Sequence, residues 1–510
     1  MQIINKKMKR FMALVLFLAV LSSNISSLSV YGAENEKNHK EYSSEDVLSA
    51  AKKALEYEKT SIGDKNKLID DDIVMSVTDS LTDWLCFGAG RFGYETDNYE
   101  KYIDTLKTYV SGKYKKDGTL SDSEATAWHT ISLTALSLGS DPTSFGVDEK
   151  GDAINLIADG VYNRSKTVSL GNQGTNAYSW GLITLDSMCF KVPEDASDTR
   201  ESIITSILSR QVLSDGGFGL SSINDSSDID ITAMVCQALA PYYNSEEEYS
   251  YKNYNDQKEY KKSVRQVVDE ALEFLSKKQF EDGGYGYGDS ESSESAAQVI
   301  VALTSLGIDL NSDERFIKNE CTVLDALMKY QQKDGGFAHA NKEEDQSGSG
   351  GESNYLATGQ AVYALNSYYR FCNGYRRLYD FRQEESEDLK EKIKEEISLI
   401  DGLEDDSSKE DIKNAFDKYK EIEESERSYV NNYKKLADLM EKNGVKNDSE
   451  YLSKAYEINH KAEGYIPDSY IKGTNTQFII IILGILILLA IAAFVAVRIR
   501  SKRISDLNAV

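Results

Sequence analysis

The residues best equipped for chemistry stand near the starts of helix-like runs. Asp228 and Asp230 are two apart in Asp228-Ile-Asp-Ile-Thr-Ala233. Two neighbouring carboxyls can serve as a strong acid when a hydrogen-bonded network polarises them. The plainer assignment is that Asp228 caps the helix while Asp230 lines a cavity or bonds locally. Asp83 opens another such run. The candidate ligand-binding set is Trp84, Glu124, Tyr178, Trp180, Asp230, Glu294, Gln298, Asn354, Tyr355 and Gln360. Neutral amides and acids mixed with aromatic faces suit an amide-rich ligand. No catalytic residue is assigned unless Asp230, with Asp228, works as an acid.

Metal and nucleotide chemistry find no motif. The five cysteines (Cys86, Cys189, Cys236, Cys321 and Cys372) form no CxxC and no Cys/His zinc spacing. An odd number leaves at least one thiol unpaired within the chain, and apolar helical surroundings favour buried thiols. Of the four histidines, His39 and His460 lie outside the repeats described below. His129 sits in an apolar helix and reads as a core residue, and His339 reads as a solvated loop residue. There is no nucleotide-binding loop.

The elements that must position these residues recur. Gln211-Val-Leu-Ser-Asp-Gly-Gly-Phe218, Gln279-Phe-Glu-Asp-Gly-Gly-Tyr285 and Gln332-Lys-Asp-Gly-Gly-Phe337 are three copies of one turn. Helical patterns at 202–210, 263–278 and 323–332 precede them, and patterns at 231–241, 295–307 and 355–369 follow. Their apolar residues recur at i, i+3, i+4 and i+7. The glycine pair lets the chain leave one helix and turn sharply, and the aromatic packs back beneath the turn. Weaker copies are Lys116-Asp-Gly-Thr119, between helices at 99–110 and 124–138, and Gly171-Asn-Gln-Gly174, between 154–162 and 176–188. The most degenerate pairs 43–59 with 74–87. Six helix pairs over 42–382, with a period of roughly 50, predict an all-α repeat architecture, either an open solenoid or a closed ring.

The ends predict an address. Lys6, Lys7, Lys9 and Arg10 precede an apolar run from Phe11 to Leu21, and small residues lead to Ala33. This layout is that of a secretory signal peptide, residues 1–33. Phe478 to Val497 is an uncharged stretch of 20 residues, long enough to span a bilayer. Arg498, Arg500, Lys502 and Arg503 follow, so the positive-inside rule puts the tail 498–510 in the cytoplasm and the rest outside. The expected partner is therefore the cytoplasmic membrane, with single-pass retention. Formal net charge is −26, and without leader and tail it is near −33. That balance argues against nucleic acid and against adhesion to anionic lipid.

The Q-x-x-D-G-G-[FY] turns, together with Asp228 to Tyr243, Ser292 to Asp309 and Arg315-Phe-Ile-Lys-Asn319, resemble the α/α-toroid superfamily. That superfamily includes squalene–hopene cyclases, protein prenyltransferase β subunits and the α domain of transcobalamin and intrinsic factor. The chain looks most like bacterial surface proteins compared with transcobalamin. The resemblance implies an (α/α)6 toroid of six inner and six outer helices around a central cavity. It also implies a small-molecule ligand, with a corrinoid as the first guess. In the cyclases D-x-D-D-T-A supplies the acid. Asp228 and Asp230 match its first two aspartates, Asp230 taking the proton donor's place, but Ile231 replaces the last one. The Asp-x-Cys zinc ligands of prenyltransferases and the D-x-H-x-x-G motif of cobalamin-dependent enzymes are both missing. So is the β-rich second domain of transcobalamin-like proteins, which leaves room for a lid protein or transporter as partner. The expectation is a binding module, with a terpenoid-cyclase-like enzyme or a surface scaffold as alternatives. Residues 383–470 turn polar and Lys/Glu-rich, with helices at 391–400, 408–426 and 429–442. Phe416-Asp-Lys-Tyr-Lys and Ser428-Tyr-Val-Asn-Asn-Tyr433 look like small three-helix modules of Gram-positive surface proteins. A charged stalk is expected there, with a partner-binding helical module as the alternative.

Overall fold

The computed structural model describes residues 39–62, 66–164, 167–221, 226–288, 290–341 and 351–447. The signal peptide, the 478–497 span and the basic tail lie outside the described residues. Among the described residues no helix is long and apolar enough to cross a membrane.

The helices come in pairs. First is α1 (Ser44–Ile62), followed by the short α2 (Asp71–Met75) and by α3 (Ser80–Phe92). Next come α4 (Tyr99–Asp117) with α5 (Thr126–Ser137), and a single turn at Ala158–Tyr162 with α6 (Gly174–Asp186). The last three pairs are α7 (Arg200–Leu208) with α8 (Ile229–Leu239), α9 (Val264–Lys278) with α10 (Ser293–Ser305), and α11 (Val323–Met328) with α12 (Tyr355–Cys372). Second members pack side by side in chain order, and α12 returns to α3, closing a ring of six. First members pack outside, with α1 against α12.

Side-chain pattern sorts the two layers. Every residue of α10 from Ser293 to Ser305 is buried. In α1 only a stripe is, at Val47, Ala50, Ala51, Ala54, Leu55 and Glu58. A helix covered on all sides belongs inside, and one with a single apolar stripe belongs on the perimeter. The third outer helix, expected over 154–162, shrinks to the turn Ala158–Tyr162. There the backbone lies directly on α5: a Cβ at Gly160 would come within 2.5 Å of the Trp128 Cβ. Arg164 covers the other side, its guanidinium 4.9 Å from the Trp128 ring centre.

The repeated turns work through their glutamine. Gln211 Nε2 donates to the Gly216 carbonyl and to Val267 of the next outer helix, at 3.0 and 3.4 Å. Gln279 does the same with Gly283 and Phe316. In the third copy this part falls to Gln331, not Gln332: Gln331 Nε2 donates to Gly335 and to Ala50 of α1. That last bond joins the final repeat to the first, so α1 closes the outer layer. The aspartate of each turn accepts the amide of the second glycine, as Asp334 does from Gly336 at 3.1 Å.

One end of the ring is sealed by the chain that leaves α12. Phe381 N donates to the Ser187 carbonyl at 2.7 Å, and Arg377 Nε donates to the Ser305 carbonyl, both at the C-terminal ends of inner helices. Tyr379 and Phe381 are buried against Phe87, with ring centres 5.6 and 6.2 Å away. Arg91 lies over Phe381 at 4.4 Å. Residues 387–443 then form three helices, α13 (Glu387–Asp401), α14 (Lys409–Lys420) and α15 (Tyr433–Asn443). They share their own core, with Tyr419 stacked on Tyr433 at 4.2 Å.

This module is docked on the sealed end through buried charge. Arg376 and Arg382 each bond Asp380 of the sealing segment and Glu426 of the module. Arg377 donates to the hydroxyl and carbonyl oxygens of Ser428, and Asn244 Nδ2 donates to the carbonyls of Arg427 and Val430 at 2.9 Å. The only long strands among the described residues, β1 (Glu248–Lys252) and β2 (Glu259–Ser263), form a hairpin beside α9. All five cysteines are free thiols, and Cys86, Cys189 and Cys236 are buried.

Candidate binding pocket

The other end of the ring is open. There a pocket of about 340 Å³ receives side chains from all six inner helices. Leu81 and Trp84 come from α3, Thr126 and Thr130 from α5, and Asn176 and Trp180 from α6. Met234 comes from α8, Gln298 from α10, and Tyr355, Leu356, Gly359, Gln360 and Tyr363 from α12. All but Tyr363, which is a turn deeper, are first- and second-turn positions, so the inner helices all present their N-terminal ends to this mouth.

The floor is aromatic. Trp84 lies 5.1 Å from Trp180 and 5.9 Å from Tyr363 between ring centres. Trp180 meets Tyr379 edge-on at 5.5 Å. The sealing segment therefore forms the underside of the pocket floor and makes the ring blind.

A buried amide relay holds one wall. Gln237 Nε2 donates to Gln298 Oε1 at 3.0 Å, and Gln298 Nε2 donates to Tyr363 Oη at 2.6 Å and to Gln360 Oε1 at 3.1 Å. The Tyr363 hydroxyl donates to Gln360 Oε1 at 2.8 Å. This leaves Gln360 Nε2 unused. Thr130 and Asn176 likewise have no protein partner among the described residues. An unpaired polar group in a concave site is where a ligand gains most from a hydrogen bond.

Of the ten residues singled out from the sequence, Trp84, Trp180, Gln298, Tyr355 and Gln360 line this pocket. Asp230 and Glu294 stand one helical turn above Met234 and Gln298, on the same faces of α8 and α10. The other three lie elsewhere. Glu124 is exposed ahead of α5. Tyr178 faces outward under the Arg210 guanidinium, 4.6 Å away. Asn354 caps α12 by accepting the Ala357 amide at 2.9 Å. Asp83 turns toward α4, where the Tyr102 hydroxyl bonds it. Burial pushes its carboxyl up to about 6, against that bond and one from the Thr78 amide. Thr126, Thr130, Asn176, Met234 and Tyr363 escaped sequence reading. Their signal was position, within the first nine residues of each inner helix, rather than residue type.

The acid motif does not assemble. Asp228 is spent as the α8 cap, accepting the Ile231 amide at 2.9 Å. Ile231 is buried where the cyclases place their third carboxyl. Asp230 stands without that support. Its Oδ1 is buried and accepts no hydrogen bond. Burial pushes the carboxyl up to about 6, Ser295 opposing and the charges of Asp228 and Glu294 adding. Glu294 Oε2 bonds His339 Nδ1 at 2.8 Å, so His339 is part of this rim rather than a solvated loop residue. His129 is a core residue: Nε2 meets the Gly160 carbonyl at 2.9 Å, and burial lowers its pKa to about 3. Among the described residues no group of three or more His, Cys, Asp or Glu side chains could hold a metal ion.

Comparison with known families agrees with this architecture. Residues 159–351 match the family model of the prenyltransferase alpha-alpha toroid domain. The chain carries an α/α toroid domain. The match runs from the third outer turn to the loop before α12, and the remaining pairs continue the same ring. No curated protein matches the chain.

Proposed function

We propose that this chain is a membrane-anchored binding module that takes a small organic molecule into the open mouth of its ring. The observation that carries the reading is the pocket itself, fed by six helices, floored by Trp84, Trp180 and Tyr363, and walled by polar groups that lack protein partners. In this reading the uncharged span 478–497 is the anchor, the basic tail 498–510 is cytoplasmic, and the ring stands outside. A corrinoid is the largest ligand in scope. Its macrocycle exceeds the pocket volume, so it would lie across the mouth on Tyr355 and Leu356 with one amide arm inserted. Those two residues and Leu81 are exposed apolar rim positions, and they are also where a lid protein or transporter would dock.

The test uses the full chain in detergent, incubated with cobinamide, cobalamin and polyprenyl alcohols and examined by native mass spectrometry. Retention of a ligand that is lost in a folded Trp180→Ala variant supports the module. A cyclised polyprenyl product, abolished by Asp230→Asn, would instead establish the cyclase-like enzyme. The same mass in every incubation would favour the scaffold.

A further inference from the structure

Resting on that reading of the mouth, we infer that its ligand is an organic cation of the alkylammonium class, seated on the Trp84–Trp180–Tyr363 floor beneath Asp230 and Glu294. The floor offers aromatic faces, and a cation held near such faces is attracted by the ring quadrupole, more strongly the further it is desolvated. Above the floor the two carboxylates come from adjacent helices, α8 and α10, each one turn nearer the rim than a pocket-lining residue. Both share a helix face with a lining residue, and the Tyr363 hydroxyl of the floor is raised by burial first and then by Tyr379, Asp230 and Glu294.

Two further observations point the same way. Asp230 Oδ1 is buried without a donor, an arrangement that costs free energy until something supplies a hydrogen or a positive charge. No Lys or Arg lines the pocket. The groups that titrate around Asp230 are Asp228, used as the α8 cap, and Glu294, which carries His339. The helix dipoles at this mouth favour anions, but Asp228 and Asp79 already meet two of those ends as caps.

The experiment titrates the full chain with choline, tetramethylammonium and 3,3-dimethylbutan-1-ol, the neutral isostere of choline. The readouts are intrinsic fluorescence and calorimetry. Two of the three tryptophans, Trp84 and Trp180, lie in the pocket. Choline is expected to bind at least tenfold more tightly than the alcohol. Asp230→Asn should remove most of that preference without changing the affinity for the alcohol, and Glu294→Gln should reduce it. Far-UV dichroism and melting of each variant confirm folding. Equal affinity for choline and the alcohol overturns the cation assignment but leaves the pocket reading standing. No binding by any of the three up to 50 mM, roughly the weakest affinity worth a site, likewise overturns the cation assignment, and the pocket reading then stands or falls on the corrinoid and polyprenyl incubations.

Discussion

Replacing Asp380 by Asn should undo the docking of the helical module on the ring. The Asp380 side chain is 12% exposed and receives Arg382 at 3.0 and 2.6 Å, Arg376 at 3.3 Å and the Tyr429 hydroxyl at 2.8 Å. Glu426 receives both arginines at 2.8 Å. Two cations and two anions balance. Burial alone would raise the Asp380 carboxyl, but Arg382 and Arg376 hold it far below the ordinary range. Asn keeps the shape and removes one charge, leaving a buried guanidinium without its counter-ion, at a cost of about 3–5 kcal/mol. Glu385 provides the contrast. Its side chain is 5% exposed and Oε1 accepts no hydrogen bond. Burial, with Glu426 and Asp380 adding and Arg376 opposing, pushes its carboxyl up to about 7. A folded pKa above the unfolded value means that the contribution of Glu385 is fully present below about pH 4 and is lost as pH rises through 7. Glu385→Gln imitates the protonated form, so it should be neutral or stabilising at pH 8. Urea unfolding at pH 8, followed by limited proteolysis after residue 382, reads both variants. If Asp380→Asn costs under about 1 kcal/mol, or Glu385→Gln costs as much as Asp380→Asn, the buried network is not what holds the module.

Gln298→Ala should cost about 0.5–1.5 kcal/mol, since Gln237 Nε2 keeps the Gln298 carbonyl and the Tyr363 hydroxyl keeps Gln360 Oε1 while each loses its bond to the amide side chain, and it should weaken ligand binding as well; denaturation with and without ligand measures both. His129 should show no titration by NMR between pH 5 and 8. Because its folded pKa is depressed to about 3, stability should fall by up to about 1.4 kcal/mol per pH unit as pH drops below 6.5, which urea titrations at pH 7 and 5 would show. Gly335→Ala should destabilise by well over 1 kcal/mol, because φ is +97° and the new Cβ would come within 2.5 Å of the Lys53 carbonyl oxygen of α1; a fall in melting temperature checks it.

The repeat was legible because its punctuation is chemical. Each Asp-Gly-Gly turn needs a residue free of Cβ strain, a carboxylate for the next amide and a glutamine for two carbonyls. Those requirements keep residue types fixed at Asp215, Asp282 and Asp334. The register of the third copy was misread by one residue because Gln331 and Gln332 are adjacent, and only the Ala50 contact across the ring distinguishes them. The weak third pair was over-read as a helix: its apolar period is present, but Gly160 against Trp128 leaves room for a single turn. The aromatic and amide members of the pocket were found by type. Thr130, Asn176 and Met234 were not, since threonine, asparagine and methionine are common in any helix and only ring closure turns them inward. The docking of the polar module was hidden too. Arg376, Arg377 and Arg382 look like surface charge in sequence, and their burial depends on partners 44 to 72 residues away.

A ring that is blind at one end has consequences for any function assigned to it. Tyr379 and Phe381 fill the axis from the C-terminal side, and their segment is fixed to inner-helix ends through Ser187 and Ser305. A ligand must therefore enter and leave by the same mouth, past Leu81, Tyr355 and Leu356. A channel for threading a long polyprenyl chain is not available along the axis. The module occupies the closed end, and the described chain leaves the ring through it, at α15. Attachment to a membrane through residues beyond 447 would then leave the open mouth unobstructed by the protein's own module. The same geometry couples pocket to module. Trp180 rests on Tyr379, and Tyr379 adjoins Asp380, the anion shared by Arg376, Arg382 and Tyr429. A ligand that shifts Trp180 presses on the residue beside the module's main anchor. Two aromatic paths, Trp180 on Tyr379 and Trp84 through Phe87 to Tyr379 and Phe381, join the pocket floor to the segment that carries the docked module.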